Sequence, residues 1–277
     1  MKTIIYFGET NDFSDKQLLS WVGEKYKVIT ITPKKKKISL VYRNINLGIN
    51  RLYTSAINRY GEEKILGIVE KIRKLEKQRI PIINSSDGYL LDLNRKRQFD
   101  FFSSQEIPFA PVLEIKNVIL KKKKIPFPCI VKINPSGRNR ELLIARNQKE
   151  ISDLPAFIKQ VSILQPLINY PICYRTEFVG EWQATFSQQI KIRENKLYFC
   201  PVQKIVPTPL SERLIKKILN TLAKVGIQVF SIEYFIVKRK LIIVDFNLTS
   251  NYQRFFITQT KNQLKKAWLN LIKGKIQ

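Results

Sequence analysis

The chain has 277 residues, of which 44% are apolar, enough for a proper core in one large domain or in two to three small ones. Lys and Arg number 49 against 22 Asp and Glu, a formal net charge of +27 that exceeds what solubility requires and favours a polyanionic partner or an acidic substrate. There is no histidine, and the cysteines Cys129, Cys173 and Cys200 are widely spaced, which excludes zinc sites and His-dependent triads and leaves catalysis to carboxylates, Lys, Arg, Tyr, Ser or an oxygen-held metal. The N-terminal apolar run is too short for a signal peptide, and no segment approaches the ~18 apolar residues of a membrane helix, so a soluble cytoplasmic protein with no membrane contact is expected.

In chain order, KTIIYFG is a short apolar run stopped by Gly8, DKQLLSWVGEKY has helical spacing, and KVITITP alternates as a strand does. ISLVYRNI predicts another strand, EEKILGIVEKIRKLEKQ a long amphipathic helix, and IPIINS a short buried strand. Residues up to about 86 therefore read as a small α/β domain with a parallel sheet. The blocks KKKK at 34–37 and 121–124 sit between strand-like runs and read as solvated hairpin loops.

A second unit, 87–277, opens with LDLNRKRQFDFFSSQEIPFAP, a helix that breaks at Ile107-Pro108 and returns as the strand PVLEI. The strands FPCIVKI and ELLIA flank the turn NPSGRNR, the helix QKEISDLPAFIKQV leads into SILQPLI, and two long strands follow, CYRTEFVG and EWQATFSQQIKI. The last third carries the helix SERLIKKILNTLAKVGI, the strands VFSIEYFIV and KLIIVDFNL, and a basic closing helix NQLKKAWLNLIKGK. In KLIIVDFNLTSNY, Asp245 and Asn247 are two apart on one strand and project to the same face, as two oxygen ligands of one hard cation would, or as the start of an Asx turn. Lys132 ends a buried strand, where an ammonium is costly unless it meets an anion or snorkels to solvent.

This order of elements resembles the ATP-grasp superfamily, especially the RimK-like carboxylate-amine ligases, over roughly residues 80–255. Four stretches carry the resemblance: IPIINS through the Ile107-Pro108 turn, the strand PCIVKI, the hinge ILQPLI, and the closing hairpin GIQVFSIEYFIVKRKLIIVDFN. It implies a small parallel α/β domain followed by a two-subdomain ATP-grasp fold, with a middle subdomain at about 116–165 and a closing one at about 166–277.

The resemblance also implies roles. Lys132 and Arg95 would hold nucleotide phosphates, Gly137 and Arg138 would belong to the loop that covers them, and Gln165, Pro166, Leu167 and Ile168 would form the hinge that takes adenine, mainly through backbone groups. Arg175 would stabilise charge on the transferring phosphoryl group, or form a structural ion pair with Glu177; Glu233, Asp245 and Asn247 would hold Mg²⁺. The family's phosphate-covering loop is glycine-rich, yet NPSGRNREL keeps only Gly137; Gln188 stands where an arginine is usual, and Asp245 replaces a longer Glu. The implied activity is an ATP- and Mg²⁺-dependent ligase that makes an amide through an acylphosphate, with an acidic peptide or protein as substrate. A non-catalytic relative that binds a nucleotide or polyanion is the alternative. Nucleic-acid binding has the charge in its favour but neither a reading helix nor an aromatic platform.

Overall fold

The structure, a computed structural model, describes residues 1–34, 44–115, 127–133, 142–255 and 258–276. The lysine blocks from residue 35 onward, most of the strand expected at ISLVYRNI, and the loop with Gly137 and Arg138 lie outside the described residues.

Strands β1 (Thr3–Gly8), β2 (Lys27–Ile31), β3 (Ile45–Arg51) and β4 (Ile82–Ile83) form a parallel sheet in the order β2-β1-β3-β4. The third strand is INLGINR, which sequence reading passed over because a glycine interrupts it. The glycine has a packing reason, since a Cβ on Gly48 would come within 2.3 Å of the Ile82 side chain on the neighbouring strand. Helix α1 (Phe13–Gly23) starts at Asp12, whose side chain accepts from the Ser14 N–H. After a short α2 (Ala56–Tyr60), helix α3 (Glu62–Lys77) buries Ile65, Ile68, Val69, Ile72 and Leu75, the stripe its spacing predicts.

The helix expected from Leu91 onward is two helices, α4 (Ser86–Asp92) and α5 (Arg95–Ser104). Asn94 separates them, because its side chain accepts from the N–H groups of Lys96 and Arg97, which caps α5 and makes Arg95 its first residue. Likewise, Pro155 splits QKEISDLPAFIKQV into α6 (Gln148–Ser152) and α7 (Ala156–Val161).

Among the described residues the second sheet has nine strands, all antiparallel. They are β5 (Leu113–Glu114), β6 (Cys129–Ile133), β7 (Leu142–Ala145), β8 (Ser162–Pro166), β9 (Ile172–Val179), β10 (Trp182–Arg193), β11 (Lys196–Val206), β12 (Val229–Val237) and β13 (Lys240–Asn247), in the order β13-β12-β9-β10-β11-β7-β6-β8-β5. Among the described residues the two halves meet where Lys196 and Leu197 of β11 pair with Leu143 and Leu142 of β7, and where the Ile144 N–H donates to the Asn195 carbonyl at 2.8 Å. Strand β11 was not foreseen, because Pro201 interrupts it; the residue falls where the pairing slips between Gln188 and Ile190 of β10.

One face of the β9, β12 and β13 region packs Phe178, Phe230, Ile232 and Phe246 against α5 and α8 (Glu212–Ala223). The other face packs Val179, Phe186 and Val229 against α9 (Thr258–Ile276), through Leu264, Trp268 and Ile272, and against the parallel sheet. No described helix is long and apolar enough to cross a membrane.

Candidate active site

The second of those faces turns polar at one end. Across the ladder, Arg175 of β9 pairs with Glu233 of β12, and Glu233 pairs with Asp245 of β13. The next row is Glu177, Ser231 and Asn247. Directly opposed residues share a face, and so do residues two apart on one strand, so all six side chains emerge together.

The contacts follow that lattice. Arg175 donates from Nε to Glu177 Oε1 at 2.6 Å, from Nη1 to Glu233 Oε1 at 2.6 Å and from Nη2 to Ser231 Oγ at 2.8 Å. Asn247 Nδ2 donates to Asp245 Oδ2 at 3.1 Å, so the pair two apart do share a face. Burial alone would make the Arg175 guanidinium harder to charge, but the carboxylates of Glu177 and Glu233 reverse this and raise its pKa.

A β-bulge after Glu233 inserts Val244 as an extra residue in β13. The Val244 carbonyl accepts from Lys132 Nζ at 3.2 Å, which brings β6 over the carboxylates. Lys132 is only 6% exposed, and that burial depresses its pKa, opposed by the charge of Asp245 and Glu233 and assisted by Arg95. Arg95 donates from Nε to Asp245 Oδ1 at 3.2 Å and from Nη1 to the Ile133 carbonyl at 3.4 Å. Burial would raise the pKa of Asp245; Arg95, Lys132 and the Asn247 amide outweigh it and hold the carboxyl below the usual range. Nearby, burial pushes the Asp92 carboxyl up to about 7, despite the N–H that Leu248 donates to it at 3.2 Å.

Arg95, Lys132, Arg175, Glu233, Val244, Asp245 and Asn247 line a cavity of about 520 Å³. Of the residues singled out from sequence, Arg95, Lys132, Gln165, Pro166, Ile168, Arg175, Glu233, Asp245 and Asn247 are on its wall. Leu167 is not: its N–H donates to the Pro128 carbonyl at 3.0 Å and its side chain packs with Ile130, Ile144 and Leu197. Gln188 donates to the Cys200 carbonyl at 2.7 Å and also lies off the wall.

At the hinge end the wall is apolar, formed by Ile130, Leu142, Ile190, Leu197 and Phe199. Within it Gln165 is 2% exposed, and neither its Oε1 nor its Nε2 has a hydrogen-bond partner among the described residues. A buried primary amide left unpaired is costly, so the site is built for something that brings a donor and an acceptor.

The opposite rim was missed in the sequence. Asp12, Tyr53, Thr54 and Ser55 come to the cavity from loops after β1 and β3, and Thr249 and Asn251 from the loop after β13. One signal could have found the first four: in a parallel sheet ordered β2-β1-β3-β4 the chain departs in opposite directions from β1 and β3, and ligands bind beyond the carboxyl ends of strands at such a switch point. That rim is tied down by a buried ion pair. Arg51 donates to Asp15 Oδ1 at 3.0 Å, to the Tyr252 hydroxyl at 2.9 Å and to the Ser250 carbonyl at 3.0 Å.

The residues present suit a nucleotide with a divalent cation. The cavity is of cofactor size, its apolar end holds an orphaned amide, and its polar end gathers Lys132, Arg95 and Arg175. Glu233, Asp245 and Asn247 are an all-oxygen donor set, and among the described residues no group of three or more His, Cys, Asp or Glu could enclose a metal. Such a set fits a hard cation that completes its shell with phosphate oxygens and water.

No protein-family model and no curated protein sequence matches the chain. Solved structures do. D-cycloserine synthetase DcsG superposes with a TM-score of 0.69 at 11% identity, covering 97% of this chain and 99% of its own. The ATP-grasp ligase PsnB, solved with a phosphomimetic variant of its minimal precursor, Mg and ADP, superposes at 0.67 with 11% identity, covering 98% and 99%. A RimK-domain ATP-grasp protein from Sphaerobacter thermophilus gives 0.64 at 12% identity, covering 98% of each chain. The chain therefore has the ATP-grasp fold over essentially its whole length.

Proposed function

We propose that this protein is an ATP-dependent carboxylate-amine ligase that forms an amide through an acylphosphate, acting on an acidic peptide or protein. The observation that carries this reading is the convergence on one cavity of a buried ammonium, two guanidinium groups and an all-oxygen cation set at one end, and an unpaired amide in an apolar wall at the other. The fold neighbours support it, since PsnB is a ligase solved with a precursor, Mg and ADP.

In this reading Gln165, Pro166 and Ile168 seat the base, while Lys132 and Arg95 hold phosphate oxygens. Magnesium held by Glu233, Asp245 and Asn247 would neutralise phosphate charge and orient the γ-phosphoryl group. Arg175 supplies positive charge where the transferring phosphoryl group gains negative charge. A substrate carboxylate attacks the γ-phosphorus, ADP leaves, and an amine displaces phosphate from the acylphosphate. Positioning and charge neutralisation carry this chemistry, so a chain without histidine can perform it. The +27 charge supports an acidic partner.

The test is trapping. With Mg-ATP, an acidic peptide library and hydroxylamine in place of the amine, the protein should yield ADP, phosphate and a peptide hydroxamate in equal amounts. Tight Mg-ATP binding with no hydroxamate from any carboxylate would instead favour a nucleotide-binding relative without turnover.

A further inference from the structure

We propose that Glu177 is a positioning residue that keeps the Arg175 guanidinium aimed into the cavity; this rests on the ligase reading above. Arg175 and Glu233 line the cavity, whereas Glu177, Ser231 and Ser250 do not, so Glu177 can reach a ligand only through Arg175.

Glu177 is 2% exposed, and both its oxygens are used: Oε1 accepts from Arg175 Nε at 2.6 Å and Oε2 accepts from the Ser250 hydroxyl. The serine is itself fixed, because its carbonyl takes the Arg51 guanidinium at 3.0 Å, and Arg51 is held in turn by Asp15. A chain of buried polar contacts thus runs from the parallel sheet to the back of Arg175.

Arg175 has two carboxylate partners with different prospects. Glu233 stands opposite Asp245 in the cation set and is drawn to any metal there; Glu177 stands one row back, beside Ser231, and is not. When Glu233 turns to a cation, the Nε contact to Glu177 and the Nη2 contact to Ser231 remain and keep the guanidinium from swinging. Three of the five guanidinium N–H groups are engaged by Glu177, Glu233 and Ser231 among the described residues, which leaves two for an incoming anion.

Calorimetry at saturating magnesium tests this with two ligands, ADP and the non-hydrolysable imido analogue of ATP, on the full chain. Glu177→Gln keeps the side chain's size and an acceptor for Nε but removes the charge; Ser250→Ala frees one carboxylate oxygen and leaves the Arg51 contact to the backbone carbonyl intact. Each should leave ADP affinity within about twofold of wild type and lower the ratio of analogue to ADP affinity, by about tenfold for Glu177→Gln and about threefold for Ser250→Ala, with Glu177→Asp restoring part of it. A merely structural Glu177 would weaken both ligands in parallel or neither, and either result overturns the proposal. If Glu177→Gln does not fold, Ser250→Ala decides. Wild type that binds neither nucleotide would bring down the ligase reading and this inference together; wild type that binds both, with ratios unchanged in the variants, brings down the inference alone.

Discussion

The two ends of the cavity solve the burial of polar groups in opposite ways. At the polar end the charged groups are engaged before any ligand arrives: Arg175 meets Glu177 and Glu233, Arg95 meets Asp245, and Lys132 donates to a backbone carbonyl beside Asp245. At the apolar end the buried amide of Gln165 has none among the described residues. A ligand at the first end exchanges existing contacts for new ones, whereas a ligand at the second satisfies groups that no described residue satisfies. Removing a group should therefore cost binding at both ends, and removing the unpaired amide at the apolar end should also make the empty protein more stable.

The largest effect is expected at Lys132. Lys132→Ala removes a buried ammonium and should weaken ATP about a hundredfold, since an ionic hydrogen bond to phosphate is worth up to about 3 kcal/mol. The fold should persist, because among the described residues the hydrogen bond of this desolvated ammonium is to one backbone carbonyl. Unchanged ATP affinity in a folded variant would remove Lys132 from the site.

Asp245→Asn comes next. It deletes one anion from a set of two carboxylates and an amide, so ATP should still bind through the cations while the part of its stabilisation that depends on magnesium disappears. If EDTA continues to lower the melting temperature of the ATP-bound variant as much as that of wild type, the cation is held elsewhere.

Gln165→Leu tests the contrast itself. An apolar side chain of similar size removes two unpaired buried amide atoms and should stabilise the ligand-free protein by about 1 kcal/mol while weakening ATP about tenfold. Loss of both stability and affinity would mean that the amide already has a partner, and the contrast between the ends would fail.

The smallest effect is a pH slope. Asp92, raised to about 7 by burial, keeps a proton in the folded state that the unfolded chain has lost above its ordinary value of 3.8. Its contribution is most favourable below that value and declines as pH rises towards about 7. Asp245 behaves inversely: its folded pKa is lowered, so its contribution is present above 3.8 and is lost on acidification. Asp92→Asn should flatten the decline in melting temperature between about pH 4 and 7 without touching the acid limb; a slope that survives would assign it to other groups.

Much of the cavity's polar end could be singled out in the sequence because its residues are grouped within single strands. Asp245 and Asn247 share a face by period-two spacing, and Lys132 ends an apolar run. Other parts were hidden by local exceptions that only packing explains: Gly48 interrupts β3 to admit Ile82, Pro201 interrupts β11 where its pairing slips, and Asn94 divides a helix that periodicity runs together. Glu177 was visible only as a partner of Arg175; its link to Ser250, 73 residues away, is made by the fold. The rim at Asp12 and Tyr53 depends on strand order, and the orphaned state of Gln165 depends on what surrounds it in space.

The central claim, a nucleotide joined to a cation in this one cavity, is tested most directly by the melting temperature in four conditions: no ligand, ATP with EDTA, magnesium alone and Mg-ATP. A ligand that binds only the native state at a hundredfold excess over its Kd stabilises it by about 2.7 kcal/mol. The account predicts a clear rise with Mg-ATP, a smaller one with ATP and EDTA, and little with magnesium alone, because the carboxylates are already paired with Arg95 and Arg175. An equal rise with ATP whether or not magnesium is present would mean a polyanion resting on a basic surface, and would contradict the account.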